Sequence, residues 1–209
     1  QIYNIFQKLP TNVQVALFSA TLPYEIKNLT NKFMRNPKEI LVKNEQLTLD
    51  GINQYFINLN DDQDKFETIK DLFSNISVSQ CIIYCNSIKR VQELYNAMTQ
   101  DGYSVCQIHS GLEKEERVKQ YKDFRDGNQR VLLSSNVTAR GIDIQQVSTV
   151  INFDIPKCSS TYLHRIGRSG RYGRKGTAIN FITKRDIHLL KELEEFYSTQ
   201  ISELPSNFS

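Results

Sequence analysis

The chain has 209 residues, of which 39% are hydrophobic and 23% charged, and its formal net charge is +3. This composition is typical of a globular protein that can bury a sizeable core, and no apolar run approaches the length of a membrane span. The small net charge excludes a histone-like polycation, so any affinity for a polyanion must come from local clusters of basic residues.

Apolar runs of strand length alternate with segments of helical periodicity along the chain. The first part predicts a strand at residues 13–18, a helix at 24–33, a short strand at 40–42 and a polar linker at 44–51. The alternation then resumes with strands at 52–59, 81–85, 105–108, 131–134, 149–153 and 177–182, and with helices at 65–73, from Ser87 to about Gly102, and at 114–124, 159–166 and 186–197. Such alternation indicates βαβ units, so we predict an α/β domain with a parallel sheet flanked by helices.

The four cysteines, Cys81, Cys85, Cys106 and Cys158, lack the spacing of a secreted disulfide scaffold, and no leader pattern is found at the start. A reducing compartment is therefore expected. Zinc binding by the first three cysteines with His109 is the weaker interpretation, because no second tight Cys/His pair accompanies them. We expect buried structural thiols.

Residues 164–174 form a run in which arginine recurs every third residue and glycine precedes each of the last three arginines. One interpretation is a flexible arginine-glycine segment that binds RNA loosely. The run lies between a predicted helix and a predicted strand, which favours a loop inside a folded domain. Glycines let the backbone approach a ligand, and fixed guanidinium groups match phosphate oxygens, so the run predicts a phosphate site of the arginine-finger kind.

The run 164–171 resembles motif VI of the DEAD-box ATP-dependent RNA helicases. Three further segments resemble motifs of that family in the family's order: Ser19-Ala20-Thr21 (motif III), residues 82–87 (motif IV) and residues 139–143 (motif V). Residues 1–3, 33–35, 144–147 and 196–200 are similar to the eukaryotic translation initiation factor 4A group. The resemblance covers nearly the whole chain and is to the C-terminal half of these proteins.

This resemblance implies a division of the chain. Residues 52–209 would form the second, C-terminal RecA-like domain with motifs IV, V and VI, residues 44–51 the linker, and residues 1–43 a remnant of the first RecA-like domain with motif III. The sequence contains neither a Gly-x-x-x-x-Gly-Lys-Ser/Thr loop nor an Asp-Glu-Ala-Asp segment. ATP and Mg²⁺ are the implied cofactors, and the Mg²⁺ ligands are expected in the missing first domain. The chain alone is expected to hydrolyse no ATP.

The resemblance assigns nucleotide and coupling roles to individual residues. The implied arginine fingers are Arg168 and Arg171, and the implied nucleotide contacts also include Gly141 and Asp143. Interdomain coupling is implied for His164 and Arg165, and for Ser19 and Thr21 of motif III. For Asp143 a turn-stabilising carboxylate is the alternative, and for His164 a packing role.

The same resemblance implies contacts to the RNA sugar-phosphate backbone. They involve Asn86, Ser87, Gly111, Arg117, Ser135, Asn136 and Arg140. Such contacts are largely independent of base sequence, and the 2′-hydroxyl distinguishes RNA from DNA. For Arg117 the alternative is solvation on a helix rich in glutamate.

The chain departs from the family pattern at three places. Ser135-Asn136 replaces the usual threonine-aspartate, Ser110-Gly111 the usual glycine-aspartate, and Lys114 a glutamine. Loss of the aspartate at position 136 removes a negative charge near the RNA path. Either tighter RNA binding or a weaker structural hydrogen bond would follow.

The implied function is that of an RNA-dependent ATPase that binds single-stranded RNA, unwinds short duplexes and acts in translation initiation in the cytoplasm. The alternative is an ATP-locked RNA clamp of the exon-junction type, acting in mRNA processing in the nucleus. RNA, the first RecA-like domain and a scaffold protein with HEAT-type repeats are the implied partners, and no membrane is involved. A dinucleotide-binding enzyme is disfavoured, because no Gly-x-Gly-x-x-Gly follows the first strand.

Overall fold

The computed structural model describes residues 2–19, 21–22, 24–41, 49, 51–75, 80–136, 147–170 and 175–205. The chain forms two compact units, Gln1–Lys43 and Asn44–Ser209. None of the helices among the described residues is long and apolar enough to cross a membrane.

The described part of the first unit contains two helices, α1 (Ile2–Phe6) and α2 (Tyr24–Phe33). The predicted helix at 24–33 is confirmed, and α1 was not predicted. The rings of Phe6 and Phe33 stack with their centroids 4.8 Å apart.

The two strands predicted in the first unit are wrong as far as the described residues extend. Residues 13–19 and 37–41 form no strand, and the side chains of Phe18 and Ile40 are 93% and 86% exposed. A strand forms only where a neighbour pairs with its backbone, and the described residues of this unit provide no such neighbour. Residue 42 and most of the predicted linker 44–51 lie outside the described residues.

As far as its residues are described, the second unit is built on a parallel sheet of seven strands in the order β3-β4-β2-β5-β6-β1-β7. The strands are β1 (Ile52–Leu59), β2 (Cys81–Tyr84), β3 (Val105–Ile108), β4 (Val131–Ser134), β5 (Thr149–Asn152), β6 (Gly176–Thr183) and β7 (Ser202–Glu203). Six of them agree with the predicted strands to within one residue at each end, and only the two-residue edge strand β7 was not predicted. The predicted parallel α/β fold is confirmed.

Within the described residues of the second unit, five helices accompany this sheet: α3 (Asp64–Asn75), α4 (Ile88–Gln100), α5 (Lys114–Arg125), α6 (Ser159–Ile166) and α7 (Ile187–Tyr197). Helix α4 begins as expected from its sequence, because the Ser87 hydroxyl oxygen accepts a hydrogen bond from the Arg90 backbone N–H at 3.3 Å. After the helix, Gly102 adopts a positive φ of 84°, the left-handed conformation common after helix ends.

Alternate residues of the strands pack on opposite faces of the sheet. Ile83 of β2 packs with Val91 and Met98 of α4 on one face, whereas Ile82 packs with Phe124 of α5 on the other. This alternation follows from the two-residue period of a strand. The core therefore lies on both sides of the parallel sheet.

Three of the cysteines are buried free thiols, as predicted, but Cys158 is exposed beside α6. Burial raises the pKa of Cys85 and of Cys106 to about 12. These two thiols are therefore neutral and unreactive at physiological pH.

Candidate nucleic-acid interface

Polar residues follow four neighbouring strands where each strand ends. Asn86-Ser87 follows β2, Ser135-Asn136 follows β4, Asp154 lies two residues beyond β5, and His109-Ser110-Gly111 follows β3. Since β3, β4, β2 and β5 are adjacent and parallel, their carboxyl ends share one edge of the sheet. This edge is the usual position of a ligand site in such folds.

Arg165 of α6 is the centre of the site. Its side chain is 0% exposed, and all five of its N–H donors are used. Nε and Nη2 donate to Asn136 Oδ1 at 3.0 and 2.7 Å, and Nη2 also donates to Asn86 Oδ1 at 2.8 Å. Nη1 donates to Asn152 Oδ1 at 3.1 Å and to the carbonyl oxygen of Asp154 at 2.8 Å. One side chain thus ties together the segments that follow β2, β4 and β5.

The acceptors around the Arg165 guanidinium are three side-chain amides and a backbone carbonyl, none of which carries a charge. The guanidinium also lies over the Tyr84 ring, 5.1 Å from its centroid. Burial lowers the pKa of Arg165 to about 10, because removal from water disfavours the charged form. The group therefore remains a cation at neutral pH, and no carboxylate accepts a hydrogen bond from it.

The Asp154 carboxylate binds a different set of cations. Its Oδ2 accepts hydrogen bonds from the Asn86 backbone N–H at 3.0 Å and from Arg90 Nε at 2.8 Å. Its Oδ1 lies 2.7 Å from Arg90 Nη2 and 3.3 Å from Lys65 Nζ. Asp62 completes the group with contacts to both cations, and the Lys65 hydrogen bond is the main cause of the lowered pKa of the Asp62 carboxyl. This balanced cluster fixes the backbone at Asn86.

The start of α4 lies beside the segment that follows β3. Asn86 and Ser87 are exposed, and Asn86 Nδ2 donates to the Ile155 carbonyl at 2.9 Å. A Cβ added to Gly111 would lie 3.6 Å from Ile88 Cγ2 and 3.1 Å from His109 Nδ1. The absence of a side chain at Gly111 thus lets its backbone approach the helix start.

His109 is fully buried in this corner of the site. Its Nδ1 accepts a hydrogen bond from the Gly111 backbone N–H at 3.2 Å, whereas its Nε2 has no hydrogen-bond partner among the residues that the structure describes. Burial lowers the pKa of His109, and the positive charge of Arg117 on α5 lowers it further. The phosphate contact implied for Arg117 stays a prediction.

The last residue of β4, Ser134, and the serine that follows it, Ser135, differ in their roles. Ser134 is fully buried, and its hydroxyl donates within the strand ends to the carbonyl oxygen of Ile108 or of Ser135, each at 2.8 Å. Ser135 is nearly buried, at 8% exposure, whereas Asn136 is exposed. Of the two predicted motif V contacts that the structure describes, Asn136 is therefore the more accessible from solvent.

The predicted phosphate run begins in α6 and continues into a turn. His164 and Arg168 are partly buried, and Arg168 Nε donates to the His164 carbonyl at 3.3 Å. The run is part of a folded domain as far as Gly170, which agrees with the loop interpretation. Interdomain coupling through His164 and Arg165 stays a prediction. For Arg165, whose five donors are all used inside this unit, any such coupling would pass through Asn86 and Asn136.

Gly170→Ala is expected to lower the free energy of unfolding by about 2–3 kcal/mol, since its backbone and its surroundings both require glycine. Gly170 has a φ of 70°, and an added Cβ would lie 3.0 Å from Ile52 Cγ1 and 3.1 Å from the Gly51 carbonyl oxygen. Gly102→Ala is the matched control, because φ is 84° there but nothing lies within 4 Å. It should cost about 1 kcal/mol. Urea denaturation measures the free energy of unfolding of both variants. Equal losses of stability in the two variants would contradict the steric argument.

Several predicted site residues lie outside the described residues: Arg171 of motif VI and Arg140, Gly141 and Asp143 of motif V. Their roles stay predictions. Ser19 and Thr21 of motif III belong to the first unit, where the Ser19 hydroxyl donates to the Thr21 carbonyl and accepts from the Thr21 backbone N–H.

The sequence analysis did not predict the buried hydrogen-bond network that connects Asn152, a partner of Arg165, to Asn180, Tyr162 and Gln54. Asn152 Nδ2 donates to Asn180 Oδ1 at 2.8 Å, and Asn180 Nδ2 donates to the Tyr55 carbonyl at 2.9 Å and to the Tyr162 hydroxyl at 3.3 Å. The Tyr162 hydroxyl donates to Gln54 Oε1 at 2.8 Å. The available signal was an asparagine in each of two largely apolar strands, since a buried amide requires partners.

Among the described residues, no group of three or more His, Cys, Asp or Glu side chains could hold a metal ion. The carboxylates of Asp62 and Asp154 are engaged by Lys65 and Arg90. They therefore do not fit as Mg²⁺ ligands.

Residues 64–173 match the family described as the helicase conserved C-terminal domain. This is the region that contains the edge built around Arg165. The chain therefore belongs to the helicase conserved C-terminal domain family.

The whole chain is also similar to RNA helicases of the initiation factor 4A group. It is 51% identical to the ATP-dependent RNA helicase eIF4A of Kluyveromyces lactis over 209 residues, which are 100% of this chain and 53% of that protein. Identity to eukaryotic initiation factor 4A of Caenorhabditis elegans is 48% over 209 residues, 100% of this chain and 52% of that protein. The chain thus spans about half the length of these relatives, and the predicted resemblance to the C-terminal half of this group is confirmed.

Among solved structures, the fold is similar to Saccharomyces cerevisiae Dbp5 bound to RNA and ADP BeF3. The TM-score is 0.90 at 32% sequence identity, over 97% of this chain and 54% of that chain. A DEAD box protein from Methanococcus jannaschii gives a TM-score of 0.70 at 30% identity, over 98% of this chain and 55% of that chain. The RecA-like fold expected from the sequence is thereby confirmed.

Proposed function

We propose that this chain supplies the RNA-backbone contacts and the arginine fingers of an ATP-dependent RNA helicase that separates short duplexes. One observation carries the proposal: Arg165 holds the exposed Asn86 and Asn136 together at the carboxyl ends of adjacent strands. Short amide and hydroxyl groups on a rigid edge suit phosphate and sugar oxygens, which carry no base information. The contacts are thus independent of sequence, as a general helicase requires.

The similarity to Dbp5, whose solved structure contains RNA and ADP BeF3, supports RNA and a nucleoside triphosphate as the ligands of the chain. The finger role is assigned to Arg168, which lies in the turn after α6, and to Arg171. A guanidinium there would stabilise the negative charge that develops on transferring phosphoryl oxygens. The phosphate loop and any Mg²⁺ ligands would come from the first RecA-like domain, which makes that domain an obligatory partner.

The relatives named as initiation factors support a role in translation initiation, hence a cytoplasmic location. A scaffold protein with HEAT-type repeats is the expected partner there. The alternative, an RNA clamp of the exon-junction type in the nucleus, would use the same contacts. The two differ in whether RNA is released after each round of hydrolysis.

Arg117→Ala is expected to weaken binding of a fluorescein-labelled single-stranded RNA about three- to tenfold. It should also reduce the slope of log affinity against log salt by about 1, because one phosphate contact is lost. Fluorescence anisotropy with oligouridylate at several salt concentrations measures both.

Lys119→Ala is the matched control for Arg117→Ala, since it removes one positive charge from an exposed position of the same helix. Residues two positions apart on a helix point in different directions. Binding by the control should therefore stay near the unmodified value. Equal losses of RNA affinity in the two variants would mean that Arg117 is only a solvated charge on α5. Failure of the unmodified chain to bind RNA would contradict the proposed function.

A further inference from the structure

An unbroken series of side-chain hydrogen bonds connects Arg165 to the turn that follows α7. Arg165 Nη1 donates to Asn152 Oδ1 at 3.1 Å, and Asn152 Nδ2 donates to Asn180 Oδ1 at 2.8 Å. At the other end, Gln54 Nε2 donates to Thr199 Oγ1 at 3.1 Å. The Arg165–Thr199 network consists of six side chains, in spatial order Arg165, Asn152, Asn180, Tyr162, Gln54 and Thr199.

The Arg165–Thr199 network crosses the sheet from β5 to the edge strand β7. Asn152 of β5 lies opposite Asn180 of β6, Gln54 belongs to the next strand, β1, and Thr199 lies three residues before β7. The four side chains between Arg165 and Thr199 are at most 8% exposed. Water therefore has little access to these hydrogen bonds, and each polar atom depends on its partner in the network.

The direction of the first hydrogen bonds is set by two groups that have only one role. Arg165 can only donate, and the backbone carbonyl of Tyr55 can only accept. The first group requires the oxygen of Asn152 to face Arg165. The second requires the NH₂ group of Asn180 to face Tyr55, at 2.9 Å. Each amide thus has one orientation, with its oxygen toward Arg165 and its NH₂ group toward Tyr162.

The Tyr162 hydroxyl continues this direction to Gln54. It accepts a hydrogen bond from Asn180 Nδ2 at 3.3 Å and donates its single proton to Gln54 Oε1 at 2.8 Å. Burial raises the pKa of Tyr162, which keeps this proton in place at physiological pH. Since the oxygen of Gln54 is bound by Tyr162, its NH₂ group faces Thr199. Every hydrogen bond of the network therefore points from the Arg165 cation toward the turn.

The turn at the far end of the network is itself held in place. The Thr199 backbone N–H donates to the Glu194 carbonyl at 3.0 Å, and Ser198 before it has a left-handed φ of 47°. Hydrogen bonds that share one direction polarise one another, and reversal of any one of them would leave a buried group unpaired. The position of Thr199 and the orientation of Arg165 are therefore connected.

We infer that Tyr162 and Thr199 are positioning residues that act on Arg165 through this network. The turn after α7 sets the orientation of the guanidinium from the opposite part of the sheet. The guanidinium in turn sets the spacing of the exposed Asn86 and Asn136. The positioning of Arg165 stands on the hydrogen bonds alone, whereas its effect on RNA binding rests on the proposed function and deepens it.

Thr199→Val tests the network at its far end, because it keeps the shape of the side chain and removes only the acceptor of Gln54. In nuclear magnetic resonance spectra of the ¹⁵N-labelled chain, the Arg165 Nε–H signal and the Asn180 NH₂ signals should shift. Thr199→Ser keeps the hydroxyl and should restore both signals. Gln200→Ala changes an exposed neighbour in the same turn and should leave them in place.

Tyr162→Phe interrupts the network at its centre and keeps the aromatic ring. Affinity for fluorescein-labelled oligouridylate should fall about threefold in this variant and about twofold in Thr199→Val. Thr199→Ser and Gln200→Ala should bind as the unmodified chain does. If the two residues act through one network, the double variant should bind no more weakly than Tyr162→Phe alone. Independent losses would multiply to about sixfold and would overturn the inference.

The two readouts distinguish the inference from the proposed function. An unchanged Arg165 Nε–H signal in Thr199→Val, or an equal shift in Gln200→Ala, would overturn the inference even if the unmodified chain binds RNA. Failure of the unmodified chain to bind RNA would overturn the proposed function, and the resonance shifts would still decide whether the turn positions Arg165.

Discussion

Arg165→Ala is expected to lower the free energy of unfolding by about 3–5 kcal/mol, the largest stability loss of any single substitution considered for this chain. The substitution leaves a cavity and removes the donors of four acceptors, two of which belong to the buried residues Asn152 and Asp154. The oxygen atoms of Asn86, Asn136 and Asn152 and the carbonyl of Asp154 would then compete for water at the end of a tightly packed sheet. The segments after β2, β4 and β5 should separate, and RNA binding should be lost with them.

Two further variants make the Arg165 prediction specific. Arg165→Lys keeps a cation but provides three donors instead of five in a fixed fork, so its stability should lie between the unmodified chain and the alanine variant. Arg130→Ala removes an exposed arginine and should change stability by less than about 0.5 kcal/mol. Urea denaturation followed by circular dichroism gives all three values. A loss below about 1 kcal/mol for Arg165→Ala would mean that the network contributes little.

The helices and strands of the second unit could be predicted because their sequences show clear hydrophobic periodicity. The stripe Val91, Leu94 and Met98 is buried on one face of α4 as its spacing requires. The apolar run at 81–84 became a strand buried on both sides, as parallel sheets favour. Periodicity of this kind is readable within one element and needs no knowledge of its neighbours.

The strand predictions in the first unit failed because a strand depends on a neighbouring segment and not only on its own sequence. Residues 13–18 have a composition typical of strands, but a strand is stabilised by pairing with another segment. The described residues of the unit contain no such segment, and Phe18 is almost fully exposed. Strand propensity in that segment depends on its context more than helix propensity does in α2.

The motifs predicted which segments meet at the site, but not what holds them together. The pairs Arg165–Asn86 and Arg165–Asn136 are separated by 79 and 29 residues, and no local pattern encodes such distances. The sequence therefore suggested Arg165 as a residue that reaches another domain. The fold makes it a fully buried residue whose donors are all used within its own domain. Its neighbour in the motif, Arg168, is only partly buried, so the two arginines have different tasks.

Arg168→Lys is the second prediction with a large effect, and it concerns activity instead of stability. In the longer protein that includes the first RecA-like domain, the substitution should lower kcat for RNA-stimulated ATP hydrolysis about 10³-fold, the size of an arginine-finger loss. A lysine keeps the charge, but it cannot present the planar fork that matches phosphate oxygens. Thermal stability should change little, because Arg168 is only partly buried, in contrast to Arg165.

The control for Arg168→Lys is Arg185→Lys, at an exposed position in the turn between β6 and α7, which should leave kcat unchanged. A coupled assay of phosphate release with saturating RNA measures both variants. If Arg168→Lys raised KM for ATP without lowering kcat, Arg168 would contribute equally to binding of the ground state and the transition state. A loss in kcat with little change in KM is the result that marks a finger. This result would also distinguish the roles of Arg168 and Arg165. Arg165→Lys should lower stability, and its activity should fall only because the fold is less stable.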